Sequence, residues 1–335
     1  MHDHHPAHTG ATIRPVSRRT HELPAAVRGH PRLAAYVRES YSVHRRTDLG
    51  DDLAASLRAW QLLMPDDGCF TALTSAALRG WWLPPIPAGA PVFMAMGLDD
   101  PRPIRAGVRT SRHTRPIAFE CIGGVRAASV PETLLSCARW LSLVDMVVLM
   151  DCVLQRGECT GREIEAVVRP RRPGAAPLRR ALALADRRSE SAYETLLRLL
   201  HVLCGIEVEP QYVVVDEDGV VVARADLRIA GTQALHEYDG DEHEEAPRRV
   251  RDRRRDRDIE RAAHVRRGYT AGDVLHRSGS VLRDAERSLG LAHDPGRIRP
   301  WLAELRKSLF TPSGQAEFVR RANPRLPVRE RGATA

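Results

Sequence analysis

The chain has 335 residues, a hydrophobic content of 43% and a formal net charge of +8 at pH 7, so it has the length of about two domains and enough apolar residues for real cores. Its best apolar run, Leu141–Met150, is interrupted by Asp145 and falls well short of the roughly 20 residues of a membrane span, and the start of the chain lacks the apolar stretch of a secretory signal. Six cysteines without a CxxC pair exclude zinc-ribbon and thioredoxin-like sites and are typical of buried thiols in a reducing compartment, so we expect a cytoplasmic protein that does not contact a membrane.

Arginine supplies nearly all of the positive charge, because Lys307 is the only lysine in the chain. Guanidinium groups bind phosphates and carboxylates through paired hydrogen bonds, so the bias is typical of a protein with phosphate or carboxylate partners. It is equally typical of a chain encoded by a GC-rich genome, and composition alone does not separate the two explanations.

The N-terminal half is predicted to be a mainly helical domain, residues 31–175, behind a disordered polar tail, residues 1–30. Apolar residues between Pro31 and Leu63 recur at helical spacing and predict two helices. Further helices are predicted at Thr71–Gly80, Leu134–Leu143, Val144–Gln155 and Thr160–Val168, with short extended runs at Val92–Met96 and Ile117–Cys121. The stretch Arg169–Pro177 is rich in arginine and proline and is the clearest interruption, so we place the domain boundary near residue 175.

The C-terminal half is predicted to be an α/β domain, residues 176–290, followed by a helical extension and a loose tail, residues 291–335. Its elements in chain order are a helix at Ser189–Cys204, strands at Gln211–Val215, Val220–Ile229 and Ala234–Asp239, an arginine-rich helix at Arg248–Arg267 and a strand near Tyr269. Short turns join the three strands, so they are expected to be antiparallel. A helix, three antiparallel strands, a helix and a strand form an α/β sandwich around one small sheet.

Two acidic residues are predicted to face each other across the hairpin within Ala223–His243. If the hairpin closes about Gly231 and Thr232, opposed residues have numbers that sum to 463, and Asp226 lies opposite Glu237. Opposed like charges destabilise a sheet unless a cation lies between them or one carboxyl keeps its proton. The pattern therefore allows either a divalent-metal site or an acid–base pair.

Two neighbouring acids have competing interpretations. The same register places Arg224 opposite Asp239, which predicts a cross-strand ion pair without a catalytic role. Glu194 follows Ser191 at capping-box spacing, so its carboxylate either caps its own helix or belongs to the site.

A series of short motifs runs through the C-terminal half in a fixed order. The series is Ser191-Ala192-Tyr193-Glu194 with Arg198, Gln211, Ala225-Asp226-Leu227, His236-Glu237-Tyr238-Asp239-Gly240 with His243, Arg255-Asp256, and Arg267-Gly268-Tyr269-Thr270 with Asp273-Val274-Leu275. Over roughly residues 185–276 it resembles the very-short-patch-repair-like endonuclease domain, an actinobacterial branch of the PD-(D/E)xK nuclease superfamily. The resemblance implies a restriction-endonuclease-like α/β sandwich with a small mixed sheet.

The resemblance also implies cleavage of DNA phosphodiesters with Mg²⁺ or Mn²⁺ as cofactor. Asp226 and Glu237 would hold the metal ion, and Glu194 would complete its shell or position water. Asp239 stands where the superfamily signature has its lysine, which is a departure from the pattern. Histidine assists in the very-short-patch-repair branch, so His243 is the candidate to assist or to protonate the leaving group.

The run Arg248–Arg267 holds ten arginines against four acids beside the proposed metal site. This predicts either a helix with internal ion pairs or a surface that follows the phosphate backbone of DNA. On the second interpretation the DNA-contacting residues are Arg248, Arg249, Arg251, Arg254 and Arg255.

The region Leu63–Val168, especially Phe70–Pro84 and Val130–Glu163, resembles the C-terminal part of abortive-infection type IV antitoxin proteins, which often precedes this nuclease-like domain. The combination suggests a defence or repair context, with DNA and a protein of toxin or repair type as partners. Two functional classes follow from the sequence. One is a metal-dependent endonuclease, and the other is a catalytically idle nuclease fold that binds DNA as an antitoxin-like regulator.

Overall fold

The computed structural model describes residues 24–31, 34–50, 52–101, 103, 105–169, 172–240 and 255–323. By internal contacts the chain divides into two compact units, Met1–Leu62 and Leu63–Ala335. In the described ranges no helix has both the length and the apolar character needed to cross a membrane.

The first unit is a small antiparallel sheet followed by a helix. Its elements are β1 (Ala26–Arg28), β2 (Tyr36–Ser40), β3 (Val43–Arg46), a turn of 3-10 helix (Thr47–Leu49) and α1 (Leu53–Gln61). The strands lie in the order β1-β3-β2, and α1 buries an apolar face that includes Leu57 and Trp60.

Of the two helices predicted between Pro31 and Leu63, the described residues contain only the second, and the hairpin of β2 and β3 occupies the place of the first. Burial along Val43–Arg46 alternates with a period of two residues, which is the pattern of a half-buried strand. The predicted tail of residues 1–30 is wrong where β1 pairs with β3, and residues 1–23 lie outside the described part of the chain.

The second unit begins with a five-stranded mixed sheet and a group of helices. The strands are β4 (Cys69–Phe70), β5 (Val92–Gly97), β6 (Val108–His113), β7 (Phe119–Ile122) and β8 (Val125–Ala128), in the order β6-β5-β4-β8-β7. The helices are α2 (Ala72–Leu78), α3 (Val130–Cys137), α4 (Leu143–Gln155), α5 (Gly161–Val168) and α6 (Ala175–Leu182). Because strands β1 to β8 all precede residue 175, the predicted mainly helical N-terminal domain is instead mixed α/β.

The rest of the second unit contains the predicted small mixed sheet. Its elements are α7 (Ala192–Leu203), β9 (Val208–Val215), β10 (Val221–Ile229), β11 (Ala234–Tyr238), helical residues 255–261 (α8) and β12 (Val265–Tyr269). Strands β9, β10 and β11 are antiparallel, β12 runs parallel to β11, and the order is β12-β11-β10-β9. The predicted succession of a helix, three antiparallel strands, a helix and a strand is present. The arginine-rich helix, predicted at Arg248–Arg267, is described only over residues 255–261, and Val265–Arg267 belong to β12 instead.

Four helices follow the sheet in the described residues, and the last two of them lie within the predicted helical extension, residues 291–335. They are α9 (Ala271–His276), α10 (Ser278–Ser288), α11 (Arg299–Leu305) and α12 (Pro312–Ala322). The predicted loose tail beyond residue 323 lies outside the described residues.

One core continues across the predicted domain boundary near residue 175. Buried side chains on both sides of that position belong to the same apolar cluster, among them Leu134, Leu149, Leu178, Leu200 and Trp301. The apolar core is therefore not divided near residue 175. Arginine and proline do mark a loop there, but the loop joins α5 to α6, and these helices pack together.

Buried polar contacts also tie α4 to later elements. The carboxylate of Asp151 on α4 accepts hydrogen bonds from Thr195 Oγ1 and Arg198 Nη2 on α7, each at 2.8 Å. Asp145 at the start of α4 accepts from Ser308 Oγ and from the N–H of Leu309. The contacts of Asp151 fix α7, the helix that carries Glu194, against α4. The contacts of Asp145 fix the segment between α11 and α12 against the same helix α4.

Candidate active site

The β10–β11 hairpin has the predicted register. Leu227 pairs with His236 and Arg228 pairs with Leu235, so the numbers sum to 463. The turn includes Gly231 in the left-handed region at φ +74°, which favours glycine because it has no Cβ. Extended by one residue beyond these pairs, the same register places Asp226 opposite Glu237, in agreement with the effect of the Glu237 charge on the pKa of Asp226.

Asp226 lies at the centre of a group of three carboxylates. Burial is the main reason that its pKa is raised to about 7, and the negative charges of Glu194 and Glu237 raise it further. The backbone N–H of Tyr238, 2.8 Å from Asp226 Oδ2, opposes this effect. The sequence left a metal site and an acid–base pair open, and this raised pKa is consistent with both.

The carboxylate of Glu194 contacts both the start of its own helix and the sheet. Its backbone N–H donates to Ser191 Oγ at 3.1 Å. Its carboxylate, however, accepts from the N–H of Glu190 at 2.8 Å and from Gln211 Nε2 at 3.0 Å. Burial raises the pKa of Glu194. The capping interpretation is therefore only half right, since the side chain of Glu194 is directed to β9.

Gln211 is the residue that orients Glu194. Its backbone has φ +53°, a conformation that a residue other than glycine adopts only at a cost of order 1–3 kcal/mol. Strain of this kind persists where the surrounding structure imposes it, often at a functional site. The sequence motif contained Gln211 but gave it no role.

Glu237 is held by two arginines. Arg255 binds both of its oxygens, with Nη2–Oε1 at 2.6 Å and Nη1–Oε2 at 2.9 Å. Arg266 on β12 donates through Nε to Oε2 of the same carboxylate and through Nη2 to Asp239 Oδ1 at 2.6 Å. Since Glu237 is only 4% exposed, this network supplies the cations that a buried carboxylate needs.

The predicted ion pair between Arg224 and Asp239 is wrong. Arg224 Nη2 donates to the carboxylate of Glu190 at 2.7 and 2.8 Å, while Asp239 accepts from Arg266. The reason is β12, which pairs in parallel with β11 and brings Arg266 beside Asp239. A register argument that considers only the hairpin does not include this third strand.

Gly268 on β12 makes room for this arrangement. A Cβ at that position would lie 1.7 Å from Asp239 Oδ2. The carboxylate of Asp239 thus occupies the space of a side chain at residue 268, which explains the glycine in the Arg267-Gly268-Tyr269 motif.

The remaining predicted site residues divide into two groups. Arg255, predicted to contact DNA, is described, and its guanidinium is directed to Glu237 and to the backbone carbonyl of Arg224. The others lie outside the described residues, namely His243, Arg248, Arg249, Arg251 and Arg254. Arg266 was missed as a named site residue, although it lies within the arginine-rich run.

The opposite face of β11 belongs to the core. His236 is fully buried there, with Nδ1 3.0 Å from His201 Nε2 and Nε2 3.3 Å from the hydroxyl of Tyr269. Burial lowers the pKa of both histidines, that of His201 to about 4. His236 therefore points away from Glu237 and does not contribute to the carboxylate group.

The carboxylates fit a hard divalent cation in part. Within the described ranges, no set of three or more His, Cys, Asp or Glu side chains is placed to hold a metal ion. Magnesium commonly takes only one or two carboxylates and keeps several waters. Asp226 fits as such a ligand, because among the described residues no guanidinium forms an ion pair with it. Glu237 does not fit while Arg255 and Arg266 hold both of its oxygens.

The raised pKa of Asp226 predicts a pH-dependent stability. Between the ordinary value of 3.8 and about 7, the unfolded chain releases this proton while the folded chain keeps it, so the stability of the metal-free protein falls as pH rises. Asp226→Asn removes this contribution. We expect the melting temperature of the variant to exceed that of the wild type, and to exceed it by more at about pH 8 than at about pH 5. Calorimetry in EDTA measures both differences, and equal differences at the two pH values would contradict the assignment.

Comparisons with protein-family models, with curated proteins and with solved structures found no match to this chain.

Proposed function

We propose that the chain is a metal-dependent endonuclease that hydrolyses or nicks DNA, with Asp226 as the principal metal ligand. One observation carries the proposal. A mostly buried carboxylate has its pKa raised to about 7 by burial and by two neighbouring carboxylates, Glu194 and Glu237. Arg255 and Arg266 neutralise Glu237 but form no ion pair with Asp226. A bound cation would offset the cost of holding Asp226 ionised beside Glu194. The order of helices and strands around them is the one expected for a restriction-endonuclease-like sandwich.

The residues of the site take distinct roles in this proposal. When bound, Mg²⁺ or Mn²⁺ supplies Lewis-acid neutralisation of the scissile phosphate and makes a coordinated water more acidic. Asp226 binds the ion in its ionised form. Glu194, oriented by Gln211, positions the attacking water, and His243 protonates the leaving group. Arg266 places a fixed positive charge beside Glu237 and Asp239, where the superfamily signature has a lysine.

The test is a plasmid-nicking assay with the purified full-length protein. Supercoiled DNA with Mg²⁺ or Mn²⁺ is expected to become open-circular, and EDTA is expected to prevent the change. Glu209→Gln is a matched control, because Glu209 lies on the same sheet and forms an ion pair with Arg228 at 2.6 Å. Nicking that persists in the double variant Asp226→Ala, Glu237→Ala would reject the proposed site.

A second function is favoured by the arginines on Glu237. Since Arg255 and Arg266 already neutralise this carboxylate, the site is also consistent with a catalytically idle DNA-binding protein of antitoxin type. This version predicts DNA binding in EDTA that survives loss of Asp226 and Glu237 and weakens steeply with salt. Gel-shift measurements at two salt concentrations, with the same double variant, separate it from the endonuclease.

A further inference from the structure

A basic cleft of about 320 Å³ lies on the second unit. Its lining contains none of the three carboxylates of the candidate site, Glu194, Asp226 and Glu237. Its walls come from the end of α3, the start of α4, α6 and the segment that contains α11 and α12. Four cationic side chains line it, Arg139, Arg180, Lys307 and Arg321, together with one carboxylate, Glu304. The lining thus carries a surplus of three positive charges.

The single carboxylate is shared by two of the four cations. Arg180 Nη2 and Lys307 Nζ lie 3.7 and 3.2 Å from Glu304 Oε1. In the described part of the chain, no carboxylate oxygen lies within 4 Å of a guanidinium nitrogen of Arg139 or Arg321. Two guanidinium groups of the cleft therefore lack an acidic partner there.

Both of these exposed arginines make contacts with uncharged groups. Arg139 Nη1 donates to Ser111 Oγ at 3.4 Å. Arg321 Nη2 donates to the backbone carbonyl of Arg139 at 2.6 Å, and its guanidinium carbon lies 5.9 Å from the ring centre of Trp140. Arg109 lies over the same ring at 5.2 Å. Burial, and then the charge of Arg109, lower the pKa of Arg139. Like charges have thus been brought together around one indole, which costs free energy that an anion would offset.

The start of α4 adds to the positive field. Ser142 and Leu143 line the cleft at the N-terminus of this 13-residue helix. A capping box between Ser142 and Asp145 satisfies two backbone N–H groups there, and the other N–H groups of the first turn have no acceptor within the helix. The nearest acid of the first turn, Asp145, is fully buried and is bonded to Ser142, Ser308 and Leu309. It therefore does not line the cleft.

The floor of the cleft is apolar and closely built. Leu141 and Met146 line it and are buried. Gly174 lines it with φ +94°, and a Cβ there would lie 2.4 Å from the backbone oxygen of Leu135. An apolar floor under a cationic rim suits an organic molecule with a phosphate group, and the volume is at the lower end of small-molecule sites.

We propose that this cleft binds a small ligand that carries a phosphate or pyrophosphate group, gripped by Arg139 and Arg321. Guanidinium groups match the phosphate oxygens in geometry and charge. The inference is independent of the proposed nuclease, because none of the cleft residues belongs to the Asp226 site.

The experiment is calorimetric titration of the full-length protein with inorganic pyrophosphate, in EDTA and at about 0.15 M salt to screen non-specific attraction. We expect saturable binding with a dissociation constant below about 1 mM. Arg139→Gln and Arg321→Gln should each weaken it about tenfold or more, as expected for a charge-assisted contact. Arg283→Gln, an exposed arginine on α10, should leave it unchanged, and so should Asp226→Ala.

The outcomes are separable. Binding that is unaffected by Arg139→Gln and Arg321→Gln, or that falls equally in Arg283→Gln, overturns the proposal, as does no saturation below about 10 mM. Circular dichroism and melting temperature check that each variant is folded. If Arg139→Gln or Arg321→Gln is not, Arg180→Gln removes another cation of the cleft lining at an exposed position and should likewise weaken pyrophosphate binding. A short DNA duplex that displaces pyrophosphate one for one identifies nucleic acid as the source of the phosphate. A duplex without effect identifies a free small molecule.

Discussion

Replacing Asp226 by asparagine is expected to lower the rate of metal-dependent plasmid nicking by at least about a hundredfold, because a bound divalent ion contributes several kcal/mol of charge stabilisation. Asparagine keeps the size of the side chain and an oxygen that can accept the N–H of Tyr238, 2.8 Å away in the wild type. It removes only the negative charge. The measured quantity is the initial rate of open-circular product at about pH 8, where the wild-type carboxyl is ionised.

Two controls make this prediction sharp. Glu209→Gln removes a carboxylate from the same sheet and should retain the wild-type rate, because its partner is Arg228, 2.6 Å away, rather than a member of the site. The Asp226→Asn protein should also melt no earlier than the wild type in EDTA, so a loss of rate cannot be attributed to unfolding. A variant that nicks DNA at the wild-type rate would show that Asp226 does not hold the metal ion.

The largest stability effect is expected for Arg198→Met. The carboxylate of Asp151 is fully buried, and the side chain of its partner Arg198 is 6% exposed, with 2.8 Å between Nη2 and Oδ2. Methionine keeps much of the length but leaves a buried charge without its cation, which costs about 3–5 kcal/mol. Urea denaturation at constant pH measures the change in the free energy of unfolding.

An exposed ion pair is the matched control. Arg277→Met removes the partner of Asp273 on α9, where the arginine side chain is 69% exposed, and should change stability by less than about 1 kcal/mol. The double variant Asp151→Leu, Arg198→Met should recover part of the loss, because no charge is then buried alone. Equal effects of Arg198→Met and Arg277→Met would contradict a special role for the buried pair.

The hairpin that carries Asp226 and Glu237 could be predicted from local information. Alternating apolar residues define the faces of its strands, and the turn at Gly231 fixes the register. The helix before it and the strand after it follow from periodicity alone. These features depend on residues close in sequence, which is why the predicted elements agree with the structure.

The environment of Glu237 could not be predicted in the same way. Arg266 reaches it because β12 pairs in parallel with β11, and Arg255 reaches it from α8, which lies between those two strands in the chain. Parallel pairing depends on how a crossover packs, so one strand's sequence does not reveal its neighbour. The pKa of Asp226 likewise depends on Glu194, which comes from a separate helix.

In the first unit, the local sequence pattern predicted a helix where the structure has a strand. Leu33, Tyr36 and Val37 have helical spacing, yet Tyr36–Ser40 is a strand. A short apolar pattern is compatible with both periods, and tyrosine and valine favour extended backbone. Antiparallel pairing with β3, which also pairs with β1, decided the outcome.

The contact between Asp145 and Ser308 spans 163 residues of sequence. During synthesis, α4 leaves the ribosome long before the segment that satisfies its buried carboxylate exists. Contacts of such high sequence separation slow folding, and domains otherwise tend to fold from the N-terminus as they emerge. The sheet with Asp226 and Glu237 therefore reaches its final packing only when nearly the whole chain has been made, so a product truncated before Ser308 would lack a closed core as well as its last helix.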